Sequence, residues 1–189
     1  MPKSPPKINP WDSWLTLDSA WREQPTQRRQ TLVKAVRDHM EYEIRGDLEA
    51  LMATLTAEPV YHFWGTGPGN MLMQGRDAVR DFYSNMIAVR GNQFEVVVEN
   101  LIVGDHHVVT EGQVKQVRRG AEVRAFGVLH IDDTPIEDDE LILTTAQLVT
   151  IWPGDAEGKL IGEDIYFGES PVSHAERITP ADLPDYYIL

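Results

Sequence analysis

The segment VYHFWG, residues 60–65, decides the fold of this chain, because it alternates like an extended strand and carries apolar or aromatic side chains on both faces. One face receives Val60, His62 and Trp64, and the other receives Tyr61 and Phe63. We expect His62 to face the core, where an imidazole beside an indole indicates a catalytic pocket. The alternative is a hydrogen-bonded core histidine without a chemical role. The run GTGPGN, residues 65–70, then predicts a glycine-rich hairpin turn and not a phosphate-binding loop.

The segments before and after this strand both predict helices. Residues 32–44 carry an apolar stripe of helical period, and Gly46 and Asp47 predict the end of that helix and the cap of a second one over residues 48–52. A third helix is predicted from Arg76 onward. The order is therefore helix, helix, hairpin, helix.

The rest of the chain reads as strands. β-Branched and aromatic residues predict strands over residues 94–103, 107–117, 123–131, 141–152 and 160–167. Helices followed by long strands predict an α+β fold, in which three helices of the N-terminal half pack on a curved, cone-shaped antiparallel sheet that wraps around a pocket. This domain spans residues 30–168.

Two extensions flank the domain, over residues 1–29 and 169–189. The first has Trp11, Trp14 and Trp21 at helical spacing, so its tryptophans need burial. The second carries three prolines and an apolar end, which predicts a docked tail. Either extension packs on its own domain, covers a neighbouring subunit or caps the pocket mouth.

The chain resembles the nuclear-transport-factor-2-like superfamily, which includes SnoaL-like polyketide cyclases, ketosteroid isomerase, scytalone dehydratase, limonene epoxide hydrolase and cofactor-free lyases of lignin-derived aromatics. The resemblance is carried by GDL at residues 46–48, VYH at 60–62, GR at 75–76 with FY at 82–83, and GKLIGEDIYF at 158–167. It implies a cone fold around a small-molecule pocket. The superfamily holds enzymes, binding modules and transport factors, so the fold alone does not fix the function.

The resemblance also implies roles for particular residues. His62 falls where the isomerase-like members keep a general-base aspartate, and His39 falls near a helical tyrosine that donates to the oxyanion. Tyr83 matches a tyrosine that supports this network. Leu148 falls near the second oxyanion acid, so the carbonyl-polarising acid is absent and steroid isomerisation by that mechanism is not expected.

On the last predicted strand, the same registration turns Glu163 and Phe167 toward the pocket and Asp164 away from it. A histidine exchanges protons near neutrality, and a carboxylate in an apolar pocket can be pushed toward the same range. We therefore expect His62 and Glu163 to form an acid–base pair. The alternative is a buried ion pair in which the two residues neutralise each other and take no part in catalysis.

Tyr83 and Arg76 complete the catalytic candidates, although Arg76 could instead pair with a carboxylate at the start of the third helix. Tyr42 and Glu43 reach the pocket mouth or simply face solvent. The predicted substrate-binding residues are His39, Tyr42, Trp64, Thr110, Val114 and Phe167.

No metal or other cofactor is expected. The chain has no cysteine and no His-Glu-x-x-His motif, which leaves only scattered candidates for a metal site. Those candidates are His39, His62, His130 and Glu163.

The charge of the chain limits its partners. Its 189 residues include 30 acids and 17 bases, a formal charge of −13, which argues against nucleic acid as a partner. The N-terminal segment lacks the apolar core of a signal peptide, and no apolar run reaches the ~20 residues that span a membrane. We expect a cytoplasmic protein without a membrane partner.

These patterns, together with the family resemblance, predict a cofactor-independent lyase that acts on a hydrophobic aromatic molecule, such as a lignin-derived phenolic, through His62 and Glu163. The alternatives are an isomerase or cyclase of steroid-like or polyketide-like substrates, and a non-catalytic small-molecule binding domain. We also expect a homo-oligomer, a dimer or trimer, that pairs an outer sheet face bearing Tyr61, Phe63 and Tyr166.

Overall fold

The computed structural model describes residues 5–65 and 70–189, and in this range the chain has an α+β fold with a curved, unclosed sheet. The α-helices are Leu15–Ala20 (α1), Gln27–Arg45 (α2), Leu48–Ala53 (α3), Arg76–Ala88 (α4) and Gly120–Ala125 (α5). The strands are Leu55–Trp64 (β1), Met71–Gln74 (β2), Phe94–Val103 (β3), His107–Arg119 (β4), His130–Ile131 (β5), Thr134–Pro135 (β6), Leu141–Pro153 (β7), Leu160–Phe167 (β8) and His174–Ile178 (β9). Short 3-10 helices lie at Pro10–Asp12 and Pro180–Asp182.

The predicted helices of the N-terminal half are confirmed, and local capping explains their bounds. The hydroxyl of Thr26 accepts a hydrogen bond from the backbone N–H of Arg29 and opens α2. Gly46 ends α2 in the left-handed conformation, with φ of 74°. Asp47 then opens α3, because its carboxylate accepts the N–H of Ala50 at 3.1 Å.

The main sheet has the strand order β2-β1-β8-β7-β4-β3, with β9 pairing along the first half of β7. The predicted antiparallel arrangement is confirmed for these neighbours except β1 and β8, which run parallel. β5 and β6 form a separate two-stranded sheet. β1 and β2 pair antiparallel as a hairpin should. Residues 66–69 of the predicted turn lie outside the described residues.

The pairing of β1 with β8 decides which side chains face the interior. Tyr61 lies beside Glu163, and His62 lies beside Asp164. Side chains of paired residues share a face of the sheet, and successive side chains alternate. Tyr61 is fully buried and Glu163 is 5% exposed, whereas His62 and Asp164 lie on the outer face.

The prediction that His62 and Trp64 face the core pocket is therefore wrong, and so is the placement of Tyr61 and Phe63 on the outer face. The physical reason is that β1 is aromatic on both faces, so burial alone does not choose its orientation. The neighbouring strand chooses it, because Glu163 turns inward and its partner Tyr61 must follow.

The strand predicted over residues 123–131 is wrong over most of its length, because residues 123–125 belong to α5 and only His130 and Ile131 form a strand, β5. The carboxylate of Glu122 accepts the N–H of Arg119 at 2.8 Å, which stabilises the first turn of α5. Val123 is buried in a small cluster with Ile136 and Ile142. The β-branched side chain of Val123, which is typical of strands, therefore packs into this cluster from a helix.

Both extensions pack onto their own chain. Trp14 and Leu17 are buried, and Trp11 stacks on Tyr186 with ring centroids 3.9 Å apart. The second extension contributes β9 to the sheet and buries Leu183.

Candidate active site

An apolar cavity of about 230 Å³ lies between the concave face of the sheet and helices α2 and α4. Its apolar wall includes Met40, Phe63, Phe82, Met86, Phe94, Val96, Val114, Leu148, Trp152, Ile165 and Phe167. Ionisable or phenolic groups reach it at Glu43, Tyr83, Arg118 and Glu163. A mostly apolar pocket with a few converging polar groups is typical of a small-molecule site.

Glu163 belongs to a buried hydrogen-bond cluster at one end of this cavity. The hydroxyl of Tyr83 donates to Glu163 Oε1 at 2.9 Å, and His39 Nε2 lies 3.1 Å from the same oxygen. Tyr61 is the fourth member, with its hydroxyl 3.2 Å from that of Tyr83. The contacts of Glu163 with Tyr83 and with His39 both use Oε1.

The tautomer of His39 follows from its second contact. The hydroxyl of Thr54 donates to the carbonyl of Leu51 at 2.6 Å, so its oxygen is free to accept. His39 Nδ1 lies 2.7 Å from that oxygen and must therefore carry a hydrogen. A helix-end threonine thus orients the imidazole and turns Nε2 toward Glu163.

Three oxygen atoms surround His39 Nε2. The Tyr83 hydroxyl lies 3.0 Å away, Glu163 Oε1 lies 3.1 Å away, and the Tyr61 hydroxyl lies 3.4 Å away. His39 has no exposed surface, so these buried groups supply the contacts of its Nε2. His39 therefore holds Glu163 and the two tyrosines in one hydrogen-bond network.

Glu43 is the second carboxyl group of the cavity. It lies one helical turn beyond His39 on α2, and it lines the wall. Burial raises the pKa of Glu43 well above its ordinary value of 4.5, and the charge of Glu163 raises it further. A carboxyl group in this environment favours its neutral form and can donate a proton.

The two tyrosines of the cluster are neutral donors. Burial is the main cause that raises the pKa of Tyr61 and the pKa of Tyr83 well above the ordinary value of 10, and the negative charge of Glu163 acts in the same direction. Their hydroxyl groups thus stay protonated and support Glu163 as hydrogen-bond donors.

The structure brings five of the ten predicted site residues to one cavity. Tyr83, Thr110, Val114, Glu163 and Phe167 line the cavity. His39 does not line it, because it is fully buried behind Tyr83 and Glu163. The roles of these residues in binding and catalysis stay predictions.

His62 and Trp64 lie elsewhere, on the outer face of the sheet. His62 Nδ1 is 2.8 Å from Asp164 Oδ1, and about a third of each side chain is exposed. The Trp64 ring stacks on the rings of His62 and Tyr166, with ring centroids 5.4 Å and 5.8 Å apart respectively. His62 and Glu163 therefore cannot act on one substrate from opposite faces of the sheet, and the predicted pair of these two residues is wrong.

Two further candidates also lie outside the cavity wall. Arg76 donates to the backbone carbonyls of Met52 and Thr56, which fixes the start of α4 against the corner between α3 and β1. Tyr42 packs partly buried against the core and lines a separate surface depression beside Lys34. Neither reaches the space next to Glu163.

The prediction overlooked Arg118 and left Glu43 undecided. Helical spacing from His39 could have selected Glu43 over Tyr42, because residues four apart share a helix face. Strand parity could have found Arg118, which follows Thr110, Val114 and Gln116 on the inner face of β4.

In the described parts of the chain, no three His, Cys, Asp or Glu residues are grouped so that they could hold a metal ion. Of the four metal candidates, His62 lies on the outer face, and His130 is exposed on the separate β5–β6 sheet. No helix among residues 5–65 and 70–189 is long and apolar enough to cross a membrane.

Comparison with known proteins gives one family match. A model of the SnoaL-like domain matches residues 36–138. No curated protein sequence matches the chain.

Solved structures share the fold. A protein named as a SnoaL-like polyketide cyclase from Shewanella putrefaciens CN-32 is 18% identical, with a TM-score of 0.55 over 85% of this chain and 88% of its own. The epoxide hydrolase/cyclase-like enzyme SalBIII, of pyran ring formation in salinomycin, is 14% identical, with a TM-score of 0.54 over 77% of this chain and 97% of its own. An LEH-like epoxide hydrolase of M. tuberculosis is 16% identical, with a TM-score of 0.50 over 74% of this chain and 84% of its own.

Proposed function

The chain belongs to the SnoaL-like family, and from that premise we propose that it is an enzyme that moves protons on a hydrophobic small molecule, with Glu163 as general base and Glu43 as general acid. Members of this family are generally enzymes, among them cyclases, isomerases and hydrolases. The proposal keeps the predicted role of Glu163. It replaces His62 by His39, which acts as a positioning residue behind the base.

One observation carries this proposal, namely two carboxyl groups in unlike surroundings on the wall of one apolar cavity. Glu163 accepts a hydrogen bond from Tyr83, and its Oε1 lies 3.1 Å from His39 Nε2. Glu43 has no hydrogen-bond donor to its carboxylate among the described residues, and burial favours its neutral form. Carboxyl groups whose environments differ in this way divide naturally into a base and an acid.

This pair supports elimination, and the proposed reaction class is a cofactor-independent lyase. In loss of water, Glu163 would take a proton from carbon while Glu43 protonates the departing hydroxyl group. In loss of formaldehyde from a phenolic diol, Glu163 would take the hydroxyl proton as the carbon–carbon bond breaks, and the carbon that keeps the electron pair would take the proton of Glu43. Both reactions require one group that accepts a proton and one that delivers it.

The cavity restricts the substrate to a small, flat and largely apolar molecule. An engineered cavity of about 150 Å³ holds benzene, so about 230 Å³ accommodates a substituted aromatic ring. Phe63, Phe82 and Phe167 on the wall favour stacking or edge contacts with such a ring. A phenolic compound, such as one derived from lignin, fits these requirements.

An isomerase or cyclase is the second candidate, and the family favours it. The same two carboxyl groups could move a proton between two carbons, or protonate an oxygen while a hydroxyl group attacks. The products distinguish the candidates, because isomerisation and cyclisation keep the mass of the substrate. A lyase product lacks the mass of water or formaldehyde.

The proposal can be tested by incubating the protein with a panel of aromatic alcohols, diols and ketones in deuterated buffer. Mass spectrometry should detect a product, or deuterium exchange into a substrate, with the wild type but at least 10²-fold more slowly with Glu163→Gln. Asp164→Asn, which makes the same chemical change in the adjacent residue on the outer face, is the matched control and should keep activity. A panel member that raises the melting temperature of the wild type without exchange or product would point to a binding domain instead.

A further inference from the structure

Arg118 forms no ion pair with a carboxylate of the described residues, although the chain has 30 acids and 17 bases. It lines the cavity from the inner face of β4. Its Nε is buried and has no hydrogen-bond partner among the described residues. Its Nη2 donates to Gln116 Oε1 at 2.5 Å, and this neutral amide does not balance the charge.

The surroundings of Arg118 hold the guanidinium in place without neutralising it. The ring of Phe126 lies 5.5 Å from Cζ, within the range of a cation–π contact. Burial lowers the pKa of Arg118, and Glu122 partly opposes that effect. The carboxylate of Glu122 is itself used to cap α5. Arg118 is half-buried, and a charged group that loses water without gaining an ionic partner is costly, so its place on the cavity wall indicates a ligand that completes it.

We infer that Arg118 is the binding site for a carboxylate group of the substrate, at the opposite end of the cavity from Glu163. This inference rests on the proposed function, which it deepens by naming a substrate class, namely an aromatic carboxylic acid. The planar guanidinium presents several N–H donors that suit the two oxygens of a carboxylate. Among the lining residues of the described chain, Arg118 is the only cation, which favours a singly charged carboxylate over a phosphate.

The register of the sheet indicates where the two ends of such a substrate would lie. Thr110 accepts a hydrogen bond from Trp152 at 3.0 Å, and the Trp152 ring contacts His39 edge-on, so this part of β4 is close to the acid–base cluster. Arg118 lies eight residues further along the same continuously paired strand, on the same face. The carboxylate would therefore bind away from the reacting atoms and would serve to orient them.

The inference can be tested by binding measurements on matched neutral and charged probes. The probes are 3-phenylpropanoate and 6-phenylhexanoate, each beside its primary amide, and the readouts are calorimetric affinity and melting temperature. The wild type should bind at least one acid about 10- to 100-fold more tightly than its amide. Arg118→Gln should remove this preference and leave amide binding unchanged. Arg119→Gln removes the same charge from an exposed neighbour and should keep the preference.

A ligand-free measurement tests the same inference. If Arg118 serves a ligand, Arg118→Met should keep or raise the melting temperature, because an unpaired buried charge is replaced by an apolar side chain of similar length. A melting temperature several degrees lower would show that Arg118 supports the fold, and it would overturn the inference. Equal affinity of the wild type for acids and amides, or an equal loss of both in Arg118→Gln, would overturn it as well.

Glu163→Gln separates this inference from the proposed function. This variant should keep the preference for carboxylates, because the substituted residue is remote from Arg118. A protein that prefers carboxylates but catalyses no reaction with any panel compound would contradict the proposed function alone. A protein that turns over a substrate but does not distinguish acid from amide would contradict the subsite alone.

Discussion

Glu43→Gln should change how the stability of the protein depends on pH, and no substrate is needed to measure the effect. Burial and the charge of Glu163 raise the pKa of Glu43 in the native state above its ordinary value of 4.5. The native chain therefore keeps a proton that the unfolded chain releases. The resulting stabilisation is fully present below pH 4.5 and is lost as the pH rises through the native pKa.

The magnitude follows from one proton. Between pH 4.5 and the native pKa, this residue alone lowers the free energy of unfolding by at most about 1.36 kcal/mol per pH unit. The limit is an upper one, because the Glu43 side chain borders a cavity that water can enter. Glu43→Gln has no such proton, so the variant should gain stability relative to the wild type as the pH increases through this window.

The assay is urea unfolding of both proteins from about pH 4 to about pH 8, with the slope of each transition checked for constancy. Exposed Glu157→Gln removes the same charge and should show a constant difference from the wild type. Glu163→Gln removes one cause of the raised pKa of Glu43. The pH range over which Glu43 lowers the free energy of unfolding should therefore end at a lower pH in this variant. A pH-independent difference between Glu43→Gln and the wild type would refute the assignment of Glu43 as a neutral acid.

Three other outcomes are expected. Glu163→Gln should lower turnover by roughly 10²-fold or more while the amide oxygen of the variant still accepts the Tyr83 hydrogen bond and keeps the fold, and a kcat near the wild-type value would exclude Glu163 as the base. His62→Gln should keep turnover within a few-fold, because the imidazole pairs with Asp164 on the outer face. A loss comparable to that of Glu163→Gln would instead support His62 as the catalytic partner of Glu163. The protein should be a homo-oligomer that buries this outer face, where Leu72 is 52% and Tyr166 is 39% exposed. Light scattering should then give a mass above 21.4 kDa for the wild type and a smaller one for Tyr166→Lys, and a wild-type monomer at micromolar concentration would remove this prediction.

Sequence reasoning worked where the physical signal was local. The C-terminal end of α2 at Gly46 and both ends of the strand Phe94–Val103 were predicted as observed, because a left-handed glycine and a run of β-branched residues act within a few positions. The inward direction of Glu163 was also predicted correctly. For these segments, few other local structures are compatible with the same residues.

The prediction failed where two arrangements satisfied the sequence equally well. His62 and Tyr61 are both neighbours of aromatic residues, so either parity of β1 gives a plausible buried face. The choice depends on a parallel partner about 100 residues later in the chain, where Glu163 and Asp164 select Tyr61 and His62 respectively. Such a long-range pairing leaves no trace in the periodicity of β1 itself.

The helix α2 explains why the candidate site is coherent despite this error. His39 and Glu43 are one turn apart on the same side of the helix, and the inward strand β8 places Glu163 against that side. His39 contacts the base from behind, whereas Glu43 faces the cavity in front. Because one helix positions both residues, a shift of α2 would change the contact of His39 with Glu163 and the position of Glu43 together. The proposed acid and the proposed base are therefore held relative to each other by regular secondary structure and not by a loop, which is the arrangement that proton transfer to a bound substrate requires.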